Sequence, residues 1–388
     1  MVAKPEDYYE NEAFTRLKNF ADAQQETPFL VVDSQTFTRQ LDALIESFPY
    51  AKTYYAIKAN PMPELLRILR DRGCNFDVAS RYELDKVLAE GVSGDRISFG
   101  NTIKKAKDVR YFHEKGVTLF ATDSEADLRN IAKEAPGARV FVRILTEGSD
   151  TADWPLSRKF GCQSDMAMDL CILARDLGLV PYGISFHVGS QQRDIGAWDS
   201  VIAKVRVIFE RLKEEDGIEL KMINMGGGFP ANYISRTNDL QTYAEEITRF
   251  LHEDFGDELP EIILEPGRSL VANAGLLVSE IVLISRKDRV GLHRWVYTDV
   301  GKFGGLIETT DESIKYPIYV EREGEVESVI IAGPTCDSAD ILYEHYKYEL
   351  PLSLESGDRM YWFSTGAYTT TYSAIEFNGF PPLKSFCI

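Results

Sequence analysis

Lys58 ends an apolar run, Tyr54-Tyr55-Ala56-Ile57-Lys58-Ala59-Asn60, which Pro61 stops. An ammonium at the end of a buried strand loses solvation, so its pKa falls and its amine becomes nucleophilic. Such an amine can form a Schiff base with an aldehyde cofactor or a carbonyl substrate. The plain alternative is a lysine that snorkels out at a sheet edge. Other chemistry-bearing residues recur in similar runs: Asp77 in Phe76-Asp77-Val78, Arg143 in Val142-Arg143-Ile144, and His187 in Phe186-His187-Val188-Gly189-Ser190-Gln191. Taken singly, each reads as well as a satisfied structural polar group. Gly226, Gly227 and Gly228 let backbone N–H groups approach an anion, as in a phosphate nest, although a tight turn needs glycines too. Glu265-Pro266-Gly267-Arg268 sets a carboxylate three residues before a guanidinium. Arg268 could share a phosphate with the glycines, and Glu265 could pair with a protonated ring nitrogen. Together these groups describe a site for a phosphorylated aromatic aldehyde cofactor bound through Lys58.

The elements that must position them follow a strict alternation. Strand-like runs lie near 53–58, 75–79, 96–99, 118–121, 139–145, 182–187, 219–225 and 261–265. Amphipathic helical stretches separate them at 63–72, 81–90, 104–115, 124–134, 164–177, 197–214 and 240–254. Ser164 or Asp165 can cap one helix, and Ser124 with Asp127 makes a capping-box pattern at another. Eight strands alternating with helices predict a parallel sheet closed into a (β/α)8 TIM barrel, with an open doubly wound sheet as competitor. The barrel is preferred because functional residues recur at many strand ends, which a barrel gathers on one rim, whereas a doubly wound sheet concentrates them at a switch point. A polar helix over Glu12 to Ala23 precedes a short strand at 28–32. After Arg268 the pattern turns β-rich: Leu276 to Ile284, Arg294 to Asp299, Tyr316 to Glu321, Val326 to Ile331, Arg359 to Ser364 and Thr369 to Glu376. The predicted domains are 33–270 for the barrel, and 1–32 with 271–388 for the β-rich part. The longest irregular pieces are 146–160 and 308–313.

Composition narrows the function classes. With 43 basic and 61 acidic residues the formal charge is −18, which argues against nucleic acid and anionic membranes and suits a cationic small-molecule ligand. No run of 18 apolar residues or signal core is present, so the expected compartment is the cytoplasm. Five scattered cysteines and five histidines without paired spacing predict reduced thiols and no metal site.

The segments YYAIKAN, FDVAS, FHVGSQ, GGGFP, EPGR, GPTCDS and GAYT resemble the fold III pyridoxal-phosphate decarboxylases, which act on ornithine, diaminopimelate or arginine and share an alanine-racemase-like barrel. The resemblance runs from about residue 28 to the C-terminus, and Pro334-Thr335-Cys336-Asp337-Ser338 is most similar to ornithine decarboxylase. It implies pyridoxal 5′-phosphate (PLP) as cofactor, with Lys58 as the Schiff-base lysine. Glu265 would keep the pyridinium nitrogen protonated, which argues against racemase chemistry, and His187 would stack on the ring. Ser190, Gly228, Arg268 and Tyr368 would bind the phosphate, with the backbone of Gly226, Gly227, Pro266 and Gly267. Asp77, Glu83 and Arg143 would support the site. Cys336 would protonate the carbon left by CO2, and Asp337 would pair with the substrate's distal ammonium; both would reach the site from the other subunit of a homodimer. Lys159 and Asp340 match a pair that bridges subunits. The family's second substrate acid has no clear counterpart; Glu308, in a shortened loop, stands nearest to it. The implied activity is conversion of L-ornithine to putrescine for polyamine synthesis. The alternatives are a lysine or dual lysine/ornithine decarboxylase and, from another class, a non-catalytic regulatory homologue.

Overall fold

The computed structural model describes residues 2–146, 151–155, 159–289 and 293–388; parts of the expected irregular piece 146–160 lie outside the described residues. The chain divides into two compact units, Leu41–Pro230 with Asn238–Gly267, and Met1–Gln40 with Ala231–Thr237 and Arg268–Ile388.

The first unit is a closed barrel of eight parallel strands: Ala51–Ala56, Asn75–Val78, Ile97–Phe99, Leu119–Thr122, Arg139–Arg143, Val180–Ser185, Met222–Asn224 and Glu261–Leu264. Neighbours in the ring are neighbours in the chain, and Glu261–Leu264 closes onto Ala51–Ala56 with Leu264 opposite Thr53. The helices fall where the apolar periodicity puts them, from Pro63–Asp71 to Leu240–Phe255. Alternate strand residues fill the barrel: Tyr54, Leu119, Ala121, Phe141, Met222 and Ile263 form one buried cluster. At about 1.5–3 kcal/mol per fully buried large apolar side chain, this layer fixes the strand register from which the rim loops spring.

Two expected caps differ. The helix Ser164–Asp176 is capped by the backbone of Gln163, with no side-chain cap bond. Ser124 stands at an N-cap without a side-chain bond, and the Asp127 carboxylate, expected to complete the box, pairs with Lys104 Nζ at 2.7 Å instead. A working box lies at Arg81–Ala89: Ser80 Oγ accepts from the Glu83 N–H, and Glu83 Oε2 accepts from the Ala79 N–H at 2.7 Å.

The second unit is a mostly antiparallel sheet. Its main path runs Ile318–Tyr319, Arg359–Phe363, Gly275–Arg286, Arg294–Thr298, Val326–Ala332 and Ile341–Pro351, and Phe29–Val32 joins Gly275–Arg286. Lys384–Cys387 runs parallel to Phe29–Val32. Helix Asn11–Ala23 turns Ala13, Leu17 and Ala21 inward, and Leu17 and Ala21 pack with Tyr9, Phe29, Val31, Leu276, Tyr361 and Phe363. The strand Ile341–Pro351 was not expected. The expected strand at 369–376 is not one: Tyr368 and Glu376 have φ of 56° and 60°, and left-handed backbone at both ends breaks a ladder.

Candidate active site

The strand carrying Lys58 ends two residues before it. Ala56 N–H donates to Pro266 O at 3.0 Å, tying the first barrel strand to the turn after the eighth. The chain then leaves the ladder as a 3-10 turn, Ile57–Ala59. Tyr55 Oη locks the turn by donating to Asn60 O at 3.0 Å. Lys58 is exposed on this turn, rather than buried at the end of the strand. Gly267 makes the junction possible, since a Cβ there would lie 2.9 Å from Ala59 Cβ.

Around Lys58 the strand ends bring charged groups together. Asp77 is buried, and its Oδ1 accepts from Ser98 Oγ at 2.9 Å. Burial and then the nearby Glu265 carboxylate push its pKa well up, while Lys58 pulls it down. Burial raises Glu83 as well, again opposed by Lys58. Arg143 is held below its ordinary range by burial, with Glu265, Asp123 and Asp77 opposing. These mutual effects put Lys58, Asp77, Glu83, Arg143 and Glu265 in one electrostatic cluster.

His187 carries no charge here. Its pKa is pushed well down by burial, then by Arg143 and Lys58, and Nδ1 accepts from the Gly189 N–H at 3.0 Å. The imidazole is therefore neutral, with its plane fixed and Nε2 as the protonated nitrogen. Gly227 packs beside it: a Cβ there would be 3.6 Å from Nε2 and 2.6 Å from Glu265 O. Gly226 and Gly228 have φ of +64° and +98°, and their Cβ positions would fall 2.5 Å from Phe186 O and 2.7 Å from Gly189 O. A side chain at any of the three meets backbone, so the loop is a cradle only glycines can line. Ser190 begins the short strand Ser190–Gln192 on the neighbouring loop.

Sequence reasoning missed Asn224. It ends the seventh strand, its Nδ2 donates to Glu265 Oε1 at 2.5 Å, and its Oδ1 accepts from the Gly226 N–H at 2.9 Å. One buried amide thus fixes both the acid and the first glycine. The signal was an asparagine inside the apolar run Met222-Ile223-Asn224-Met225, where an unpartnered amide would be costly.

The second unit holds two further groups. Arg268 and Glu308 form a bidentate pair, Nη1 to Oε2 at 2.7 Å and Nη2 to Oε1 at 2.5 Å, with both side chains at most 3% exposed. Nη1 also donates to Tyr233 Oη at 2.8 Å, and the guanidinium lies 4.9 Å from the Tyr368 ring centre. Burial opposes the charge, but Glu308 and Tyr233 dominate and hold the Arg268 pKa well up. Both Glu308 oxygens, expected at the substrate, are thus engaged by the arginine expected at the phosphate.

The second group is the turn 334–340. Cys336 and Asp337 are exposed, and Asp337 Oδ1 accepts from the Ala339 N–H at 2.8 Å. Asp340 is buried at its base: Oδ1 accepts from the Lys302 N–H at 2.8 Å, and Oδ2 from the Thr335 N–H and hydroxyl at 3.1 and 2.7 Å. Gly301 and Gly333 make room for it, since a Cβ at either would lie 2.4 Å or less from its Oδ1. Lys159 is exposed on the barrel unit, 5.1 Å from the Phe160 ring centre. All five cysteines are free thiols, and Cys336 is the exposed one. No helix among the described residues is long and apolar enough to cross a membrane.

An amine among acids, a neutral imidazole, an anchored carboxylate and a glycine cradle fit a phosphorylated pyridine aldehyde. A family model described as "Pyridoxal-dependent decarboxylase, pyridoxal binding domain" matches residues 34–272. A lysine/ornithine decarboxylase of Selenomonas ruminantium is 33% identical, over 91% of this chain and 88% of its own. An ornithine decarboxylase of Saccharomyces cerevisiae is 31% identical, over 92% and 80%. The crystal structure of the Paramecium bursaria Chlorella virus arginine decarboxylase bound to agmatine has a TM-score of 0.87 at 27% identity, covering 96% of this chain and 100% of that one.

Proposed function

The chain belongs to the pyridoxal-dependent decarboxylases, and from that footing we propose that it removes the carboxylate of L-ornithine to give putrescine and CO2. The observation that carries the proposal is the turn 334–340, on which a thiol and a carboxylate, Cys336 and Asp337, stand exposed in sequence above a base held by Asp340. A proton donor and an anion for a distal ammonium on one rigid turn suit a substrate with two amines a short chain apart. The active unit in this reading is a homodimer that lends this turn to its partner, and the Lys159–Asp340 pair belongs to that part of the proposal.

The barrel residues suit PLP: Lys58 would hold its aldehyde carbon, His187 its ring face, Glu265 its ring nitrogen, and Gly226 to Gly228 with Ser190 its phosphate. Arg268 and Tyr368 are assigned to the phosphate by resemblance. When bound, PLP supplies an electron-accepting ring for the electron pair left on the α-carbon as CO2 departs. The protein's share is charge control. Glu265, fixed by Asn224, presents its acid to the ring nitrogen without reorganising. His187, uncharged, covers the ring without competing for its electrons. Cys336 delivers a proton to the α-carbon.

A dual lysine/ornithine activity is the second reading. Ornithine and lysine differ by one methylene, which sets a discrimination of only about 1–3 kcal/mol, and the Selenomonas ruminantium relative bears both names. A non-catalytic homologue would have no need of Lys58, His187, Glu265 and Cys336 together. The test is CO2 release from ornithine, lysine, arginine and diaminopimelate in parallel. Ornithine is expected to give the highest kcat/KM; a higher value for arginine or diaminopimelate overturns the proposal.

A further inference from the structure

Asn378 lies outside every motif that carries the resemblance, yet its side chain reaches the turn that carries Cys336. Its Oδ1 accepts a hydrogen bond from the Cys336 backbone N–H at 2.9 Å, across 42 residues of chain. Its own backbone is left-handed, with φ of 53°. That conformation admits asparagine and glycine alike, so backbone geometry does not explain why an amide is needed. The direction of the amide does. The segment around it is anchored independently of Cys336: Phe377 packs on Phe303 with ring centres 4.9 Å apart, and the Ala374 N–H donates to Phe303 O at 2.9 Å.

The thiol-bearing turn is therefore held at two heights. Asp340 fixes its foot through Thr335 and Lys302, and Asn378 fixes its crest at Cys336 itself. We propose that Asn378 is a positioning residue for Cys336, aiming the thiol so that the proton goes to the substrate carbon.

This rests on the decarboxylase reading above. Decarboxylation leaves an electron pair shared between the substrate α-carbon and the cofactor carbon that carried the aldehyde. Protonation of the α-carbon leaves the diamine joined to the cofactor through its C=N bond, and the Lys58 amine then takes over that carbon, which frees the diamine and restores the resting cofactor. Protonation of the cofactor carbon, followed by addition of water across the C=N bond, releases an amino aldehyde and leaves the nitrogen on the cofactor as pyridoxamine phosphate. The substrate is then oxidised and the cofactor reduced by the same electron pair, and turnover stops. The ratio of the two outcomes reports where the proton was aimed.

Three holoenzyme variants test the idea. Asn378→Gly suits the left-handed backbone but lacks the acceptor, Asn378→Asp keeps an acceptor, and Cys336→Ala removes the donor. We expect Asn378→Gly to form at least fivefold more pyridoxamine phosphate per CO2 than the wild type, in the direction of Cys336→Ala, with Asn378→Asp within twofold of wild type. A readout independent of turnover is hydrogen exchange of the Cys336 amide in the cofactor-free protein, expected to quicken roughly fivefold in Asn378→Gly and to be retained in Asn378→Asp. A wild-type product ratio in Asn378→Gly overturns the positioning role even if exchange quickens, and unchanged exchange overturns the hydrogen bond. If the wild type itself releases no CO2 from any basic amino acid, the decarboxylase reading fails and this role falls with it.

Discussion

The buried pair of Arg268 and Glu308 gives the sharpest quantitative expectation. Both side chains are at most 3% exposed and joined by two hydrogen bonds of 2.5 and 2.7 Å. Glu308→Ala leaves the guanidinium in the same burial without its carboxylate, beside Tyr233 Oη and the Tyr368 ring. Removing one partner of a buried ion pair costs about 3–5 kcal/mol, because the remaining charge is uncompensated. Arg268 does not escape by releasing its proton, because a guanidinium stays protonated in proteins even without its partner acid. At about 2–4 °C per kcal/mol for a domain of about 150–250 residues, the Tm of the cofactor-free protein should fall by about 6–20 °C. Replacing both partners by apolar residues, Arg268→Met with Glu308→Leu, should restore stability to within about 1 kcal/mol of wild type or above it, because such swaps remove two desolvation costs together. The assay is urea and thermal unfolding of the cofactor-free wild type, both single variants and the double variant. If Glu308→Ala unfolds within about 1 kcal/mol of wild type, or if the single losses simply add in the double, the two groups are not coupled and the reasoning fails.

Two further outcomes follow from the barrel rim. Asn224→Ala removes the 2.5 Å donor to Glu265 and the acceptor of the Gly226 N–H; a hydrogen bond to a charged group contributes about 1.5–3 kcal/mol, so kcat/KM should fall roughly 10- to 100-fold with weaker PLP retention on gel filtration. A change below twofold would remove Asn224 from the site. For His187 the folded pKa lies well below the ordinary value of 6.5, so below that pH the unfolded chain binds a proton that the native state refuses. Stability from this group is present above pH 6.5 and lost as pH falls toward the folded pKa, with a slope of at most about 1.4 kcal/mol per pH unit. Cofactor-free His187→Gln should lack that part of the acid limb in urea unfolding at pH 7.5, 6.0 and 5.0; an identical slope in both proteins contradicts an imidazole held neutral by the fold.

The barrel was legible because its strands are short, apolar and separated by helices of clear 3.6-residue period, so each strand end could be read with the polar residue beside it. What sequence could not reach was whichever contact a polar side chain chooses among several in range. Asp127 could have capped its own helix but pairs with Lys104. Glu308 could have faced a substrate but pairs with Arg268. The same blindness hid Asn378, whose partner is 42 residues away. In the β-rich unit, Ile341–Pro351 was missed because its alternation mixes tyrosines with charges. Thr369–Glu376 was over-read because β-branched composition says nothing about whether a neighbouring strand exists.

The strand Phe29–Val32 has only late partners: Gly275–Val278 on one side and Lys384–Cys387 on the other. During synthesis it emerges before any barrel strand and waits while the barrel is made, roughly 10–50 s until Gly275 at about 5–20 residues per second, with no ladder to join. The barrel can close in that interval, since its closing strand, Glu261–Leu264, precedes both partners. The barrel can thus be complete before the unit bearing Cys336 joins Phe29–Val32 to Lys384–Cys387, and a slow or interrupted translation would leave Phe29–Val32 as an exposed edge open to wrong pairing.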